Sequence, residues 1–220
     1  MMPTYLTHDD LLKGCREFER HEHRDAMYRV AQHLIKEFWP RPEDVADALG
    51  VLLLTWNQAF YRYGPFDFAA LQAFLNARKT ELDRLRQRDI LTFAAADEVL
   101  VDALFRECLD ALQIVPPSRL AGRRSPVAAS KALHLISPDF MPLWDDRIAK
   151  GYGCSWGSPD HGPAAYVAFM GKTRGIVESL SAQVPLPDLL ADLCGQARFP
   201  KSLLKFLDEY NYAKFTQGWV

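Results

Sequence analysis

Lys131 and Asp145 are the residues whose types and spacing could do chemistry together. Lys131 is the only formal charge between Arg124 and Asp139, within Ser125-Pro126-Val127-Ala128-Ala129-Ser130-Lys131-Ala132-Leu133-His134-Leu135-Ile136. Among Val, Ala, Leu and Ile, desolvation disfavours the ammonium form of a lysine. The neutral amine is a nucleophile that forms Schiff bases with carbonyl carbons. Asp145 follows 14 residues later, after a Ser137-Pro138 stop and a loop of prolines and large hydrophobes. A helix and a returning loop of that length can bring Asp145 back toward the helix's first turn. The same residues fit a plainer reading, in which Lys131 snorkels to solvent and Asp145 caps the next helix.

The elements that must position this pair are helical. No run of alternating β-branched residues and no Asn-Gly or Asp-Gly hairpin signal occurs. Thr7 with Asp10 reads as a capping box, followed by an apolar stripe of Leu11, Leu12, Cys15 and Phe18. Ala26, Val30, Leu34 and Phe38 continue a stripe to Trp39-Pro40; Pro42 opens a helix with Val45, Leu49, Leu52, Leu53, Trp56 and Phe60 inward. Further helices are expected at about 68–88, 94–114, 126–136, 163–182, 187–194 and 200–215. In the last of these Tyr212 and Phe215 should pack together, with Lys201, Lys205 and Lys214 outward. The clearest break is the Pro/Gly/Arg loop at 115–124. The expectation is one all-α domain over residues 1–220, in lobes of about 1–114 and 115–220 with a cleft near 115–150.

Ser130-Lys131 in an apolar helix, then Phe140-Met141-Pro142-Leu143-Trp144-Asp145-Asp146-Arg147-Ile148, resembles the helix-hairpin-helix base-excision DNA glycosylases. The closest likeness is to the archaeal-type 8-oxoguanine glycosylases, and it is specific over about 25 residues. Leu120-Ala121-Gly122 stands where the family hairpin usually has two glycines, so the hairpin is diverged. The resemblance implies a compact two-lobed fold and cleavage of an N-glycosidic bond. Asp145 would stabilise positive charge on the deoxyribose and Lys131 would attack C1′, giving a Schiff base and strand scission. The partner would be double-stranded DNA carrying a flipped-out damaged or modified base, an oxidised purine such as 8-oxoguanine or a modified cytosine. No cofactor is implied, and a monomer is the family default.

On that reading DNA contacts come from Arg119, Arg123, Arg124, Ser125 and Ser130 around the start of the lysine helix, and from Arg147 and Lys150. The stretch 119–131 has a local charge of +4 and no acid, which also fits a solvated basic loop. Trp56, Asn57 and Tyr61 offer stacking and base-edge reading, and His134 flanks the face of Lys131. Each also fits core packing. A catalytically silent helical DNA-binding or protein-interaction module, and a small-molecule enzyme with a Schiff-base lysine, are the rival functions.

Composition sets the outer limits. The 220 residues carry 26 Lys+Arg and 28 Asp+Glu, a net charge of −2, so a grossly basic protein is excluded while a local basic surface is not. The longest uncharged apolar stretch, 49–60, is too short and too polar to span a bilayer. Residues 1–7 lead straight into His8-Asp9-Asp10 with no signal-peptide pattern, and a cytoplasmic protein is expected. Cys15, Cys108, Cys154 and Cys194 have no metal or iron–sulfur spacing, and His21-Glu22-His23 reads as a solvated helix surface. The glycines of 151–157 follow no strand, so they are not a dinucleotide fingerprint; Tyr152 and Trp156 there could touch DNA or fill the cleft.

Overall fold

The structure, a computed structural model, describes residues 6–23, 25–39 and 41–220. Readings that fall on residues 1–5, Arg24 and Pro40 lie outside the described residues. Regular structure among the described residues is entirely helical: α1 (His8–His21), α2 (Asp25–Phe38), α3 (Pro42–Trp56), α4 (Gln58–Tyr61), α5 (Phe68–Ala77), α6 (Lys79–Leu85), α7 (Glu98–Ala111), α8 (Pro126–Ile136), α9 (Asp146–Gly151), α10 (Gly162–Ser181), α11 (Leu186–Gln196) and α12 (Leu203–Asn211). A π-helical turn, Tyr212–Gln217, continues α12. No helix among the described residues is long and apolar enough to cross a membrane.

The lysine helix α8 is the axis of the fold. Ser125 caps it, its Oγ accepting from Ala128 N at 3.3 Å, and Pro126 occupies the first turn, where its missing N–H costs nothing. Ala128, Ala129, Ala132, Leu133, Leu135 and Ile136 are buried around its circumference, against α2, α3 and α7. A helix apolar on all sides belongs in an interior. The 112–125 connection folds back on itself, Gly122 N donating to Ile114 O at 2.7 Å and Ile114 N to Arg123 O at 2.9 Å. Gly122 adopts φ +84°, a conformation that favours glycine.

Helix contacts cross the expected boundary at residue 114. α1 packs on α11 and α12, and α10 packs on α7, so each half of the chain supplies helices to the other's side. One contiguous core runs from Leu6 to Tyr210. Local boundaries shift as well. The 68–88 helix is broken at Arg78, whose backbone (φ −109°, ψ 13°) leaves the helix while its guanidinium pairs with Glu81 at 3.0 Å and with Glu107. The 94–114 helix begins only at Glu98, after a 3₁₀ turn at Ala95–Asp97.

α2 carries two apolar stripes, and the inward one is not Ala26-Val30-Leu34-Phe38. Tyr28, Ala31 and Ile35 are buried while Val30 is 51% exposed. The rotation is fixed by polar contacts: Tyr28 Oη meets His134 Nε2 at 3.0 Å and Asp25 pairs with Lys201 at 2.6 Å.

Lys201 and Lys205 are internal rather than outward. Leu204, Phe206, Leu207 and Tyr210 bury α12 on several sides, so cations in this stretch are buried and must be paired. Lys201 Nζ lies 2.6, 2.6 and 2.7 Å from Glu19, Asp25 and Glu209. These three carboxylates could hold a metal ion, but the lysine ammonium occupies the place between them. Lys205 Nζ reaches Asp208 at 3.1 Å, Glu209 at 3.4 Å and Asp25 at 3.5 Å, and lies 4.5 Å from the centroid of Phe18. The expected Tyr212–Phe215 contact is replaced: Tyr212 meets Phe18 and Trp219, and Phe215 meets Tyr152.

Burial pushes the Glu209 carboxyl up to about 7, against the opposing pull of Lys205 and Lys201. A carboxyl raised on folding binds its proton more tightly in the native state, so its contribution to stability falls as pH rises from about 4.5 to about 7. Glu209→Gln should therefore gain stability relative to wild type across that window in urea titrations; a difference independent of pH would contradict this. Lys201→Met, which strands buried carboxylates, should cost about 3–5 kcal/mol by the same measurement.

Candidate active site

Lys131 projects from α8, and its side chain is half-buried among otherwise buried neighbours. Its Nζ donates to the Trp56 carbonyl at 3.1 Å and to Asn57 Oδ1 at 3.5 Å, and lies 4.8 Å from the Trp56 ring centroid. The amine thus meets the carbonyl end of α3, where unpaired C=O groups collect partial negative charge. Its surroundings are not the purely apolar ones expected from Val, Ala, Leu and Ile.

The loop after α8 doubles back along it. Met141 O is held by His134 Nδ1 at 2.7 Å, Pro142 O by Tyr166 Oη at 2.7 Å, and Trp144 O by Ser130 Oγ at 3.3 Å. Trp144 Nε1 donates to Pro126 O at 3.4 Å, which returns the loop to the first turn of α8. Asp145 then starts α9. Its Oδ1 accepts from Arg147 N at 2.8 Å and Ile148 N at 2.7 Å, and its Oδ2 from Thr216 Oγ1 at 2.8 Å. Asp145 caps the next helix and lines the same cleft as Lys131.

That cleft has a cavity volume of about 70 Å³. Trp56, Phe18 and Tyr212 supply aromatic wall, Leu143 and Trp144 the loop side, and Glu22, Asp25, Lys205 and Asp208 the polar remainder. Burial raises the Asp208 carboxyl above the usual range, with Lys205 opposing and the charge of Asp145 adding to the rise. Rings for stacking, a lysine amine and fixed carboxylates therefore converge on one narrow space.

Other candidates fall elsewhere. Tyr61 is buried, its hydroxyl donating to Leu112 O at 2.9 Å, because the helix breaks at Asn57 and α4 turns Tyr61 into the core. His134 is wholly buried between Tyr28 Oη and Met141 O, and burial lowers its pKa to about 3; it is a core histidine, not a neighbour of the cleft. Ser130 and Ser125 are also buried: Ser130 braces Trp144, and Ser125 caps α8 and accepts from Asn57 Nδ2 at 3.4 Å. Neither hydroxyl faces outward for a phosphate. Arg124 is bound by Asp110 at 2.8 Å and by Asp160, which cancels part of the local +4. Arg119, Arg123, Arg147 and Lys150 are exposed, and Arg147 also donates to Thr216 O. Tyr152 is buried with its hydroxyl on Asn211 Oδ1 at 2.9 Å, and Trp156 packs on Trp144.

Sequence reading missed Phe18, Glu22, Asp25, Lys205 and Asp208, which come from the two ends of the described chain. The available signal was Lys205 with Asp208 and Glu209 at i+3 and i+4, in a stretch otherwise dense in Leu, Phe and Tyr.

Asn caps a helix about as well as Asp, whereas Ala does not. Asp145→Ala should cost about 1 kcal/mol of stability and Asp145→Asn a few tenths at most in urea denaturation, roughly the spread seen for caps. Equal losses would show that the cap does not hold α9 in place. No family model matches the chain, and searches of curated proteins and of solved structures returned no significant match.

Proposed function

We propose that the protein is a DNA glycosylase with lyase activity, acting on a damaged or modified base flipped out of duplex DNA. The observation that carries this reading is that Lys131 and Asp145, from separate elements, line one narrow cleft walled by Trp56, Phe18 and Tyr212. Breaking an N-glycosidic bond builds positive charge on the sugar, and a fixed carboxylate beside C1′ lowers that barrier. Asp145, tied by three hydrogen bonds, is such a carboxylate. Lys131 attacks C1′ as the base departs, and the Schiff base that follows permits β-elimination of the 3′ strand. The rings of the cleft suit stacking on an extruded base, the state in which enzymes act on bases in duplexes. Of the cations expected at phosphates, Arg119, Arg123, Arg147 and Lys150 are exposed. Oxidised purines such as 8-oxoguanine and modified cytosines are the substrate classes to test first.

Borohydride trapping on end-labelled duplexes with altered bases tests this reading. A covalent adduct with wild type, lost in Lys131→Gln, together with base release reduced by on the order of 10²-fold or more in Asp145→Asn, is the expected result. Base release without an adduct would retire Lys131 as nucleophile. Neither adduct nor base loss on any duplex would favour a binding module without catalysis.

A further inference from the structure

We propose that Asp208 is the proton shuttle for Lys131, taking the proton released when the amine bonds to carbon and returning it to the leaving oxygen. The inference rests on the glycosylase–lyase reading above. It separates two carboxylates that line the same cleft and are held differently. Asp145 has both oxygens engaged: two backbone N–H groups on Oδ1 and the Thr216 hydroxyl on Oδ2. That geometry fixes a charge in place. Asp208 is held by a lysine side chain, Lys205 Nζ on Oδ2 at 3.1 Å, and its side chain keeps 13% exposure at the cleft it lines.

Asp208 is electrostatically coupled to the groups it would serve. The charges of Lys131 and Asp145 both act on its carboxyl, along with that of Lys205 beside it. Among the described residues Glu22 and Asp25, where α1 gives way to α2, add to the charged lining. Burial raises the Asp208 carboxyl above its ordinary value, the direction that favours taking up a proton, while Lys205 opposes the rise. Two carboxyl groups in environments that hold them differently is the arrangement that assigns one to charge stabilisation and the other to proton transfer.

The chemistry balances on an abasic-site aldehyde. The Lys131 nitrogen forms a bond to C1′ as the carbonyl π bond opens, giving a carbinolamine whose nitrogen carries an extra proton. Asp208 takes that proton, and the oxygen becomes hydroxyl by taking one from a solvent water, whose hydroxide is neutralised by the buffer. Protonated Asp208 then gives its proton to the hydroxyl, water leaves, and the nitrogen lone pair forms the C=N bond. No oxidant or reductant is needed until borohydride traps the product.

A duplex with one abasic site tests the shuttle without knowledge of the excised base. The adduct-forming rate is measured against pH for wild type, Lys131→Gln, Asp208→Asn and Asp208→Ser, with thermal melting to confirm folding. Asp208→Asn and Asp208→Ser should each slow trapping by on the order of 10²-fold near neutral pH. Added formate, a carboxylate small enough for the vacated space, should accelerate Asp208→Ser and leave wild type unchanged. The isosteric Asn variant keeps the test open if Ser disturbs the fold. Wild-type rates in folded Asp208 variants would overturn the shuttle while leaving Lys131 as nucleophile. So would a slowing with an unchanged pH profile and no response to formate, which marks a structural role. Absence of any adduct with wild type would overturn the nucleophile and the shuttle together.

Discussion

The arrangement depends on how two buried ammonium groups are satisfied. Moving a lysine out of water costs several kcal/mol unless carboxylates and hydrogen bonds compensate. Lys201 and Lys205 meet this with Glu19, Asp25, Asp208 and Glu209, contributed by α1, α2 and α12. Burial opposes the charge on Lys201, yet Glu209 and Asp25 push its pKa up, so it stays an ammonium. Apolar residues would hold these helices together about as well. What the charges add is register, because an ammonium beside three oxygens within 2.7 Å tolerates little sliding of one helix on another.

This constraint reaches the cleft through Lys205. The same Nζ that faces Asp25 and Glu209 holds Asp208, so the position of the cleft carboxylate is set by the buried network. On the opposite side, the loop from Ser137 to Asp145 is braced by hydrogen bonds to the Met141, Pro142 and Trp144 carbonyls from His134, Tyr166 and Ser130. His134 and Ser130, read from sequence as base-pocket and phosphate residues, instead keep Asp145 from drifting away from Lys131.

The sequence exposes this architecture unevenly. The helical class, the Ser125-Pro126 start of α8 and the Asp145 cap of α9 follow from local rules of capping, proline stops and 3.6-residue periodicity. Those rules act over a few residues and need no partner. Which face of α2 turns inward does not follow, because both of its stripes are apolar and the choice is made by Tyr28 and Asp25 meeting α8 and Lys201. The outward placement of Lys201 and Lys205 fails for the same reason. Lysine at helical spacing usually points to water, and here the distant Asp25 and Glu19, with the nearby Asp208 and Glu209, make burial tolerable. Tyr61 and Asn57 part company because a helix break at Asn57 leaves no mark in the periodicity.

The joining of α1 to α12 has a kinetic meaning. Cys15 Sγ donates to the Phe206 carbonyl at 3.3 Å across 191 positions of sequence, and Phe18 and Asp208 face the cleft from the same two helices. Closing so long a loop comes late in folding, since its entropy must be lost before the contact returns anything. The cleft is therefore a property of the completed fold, and its walls part in any opening that separates α1 from α12.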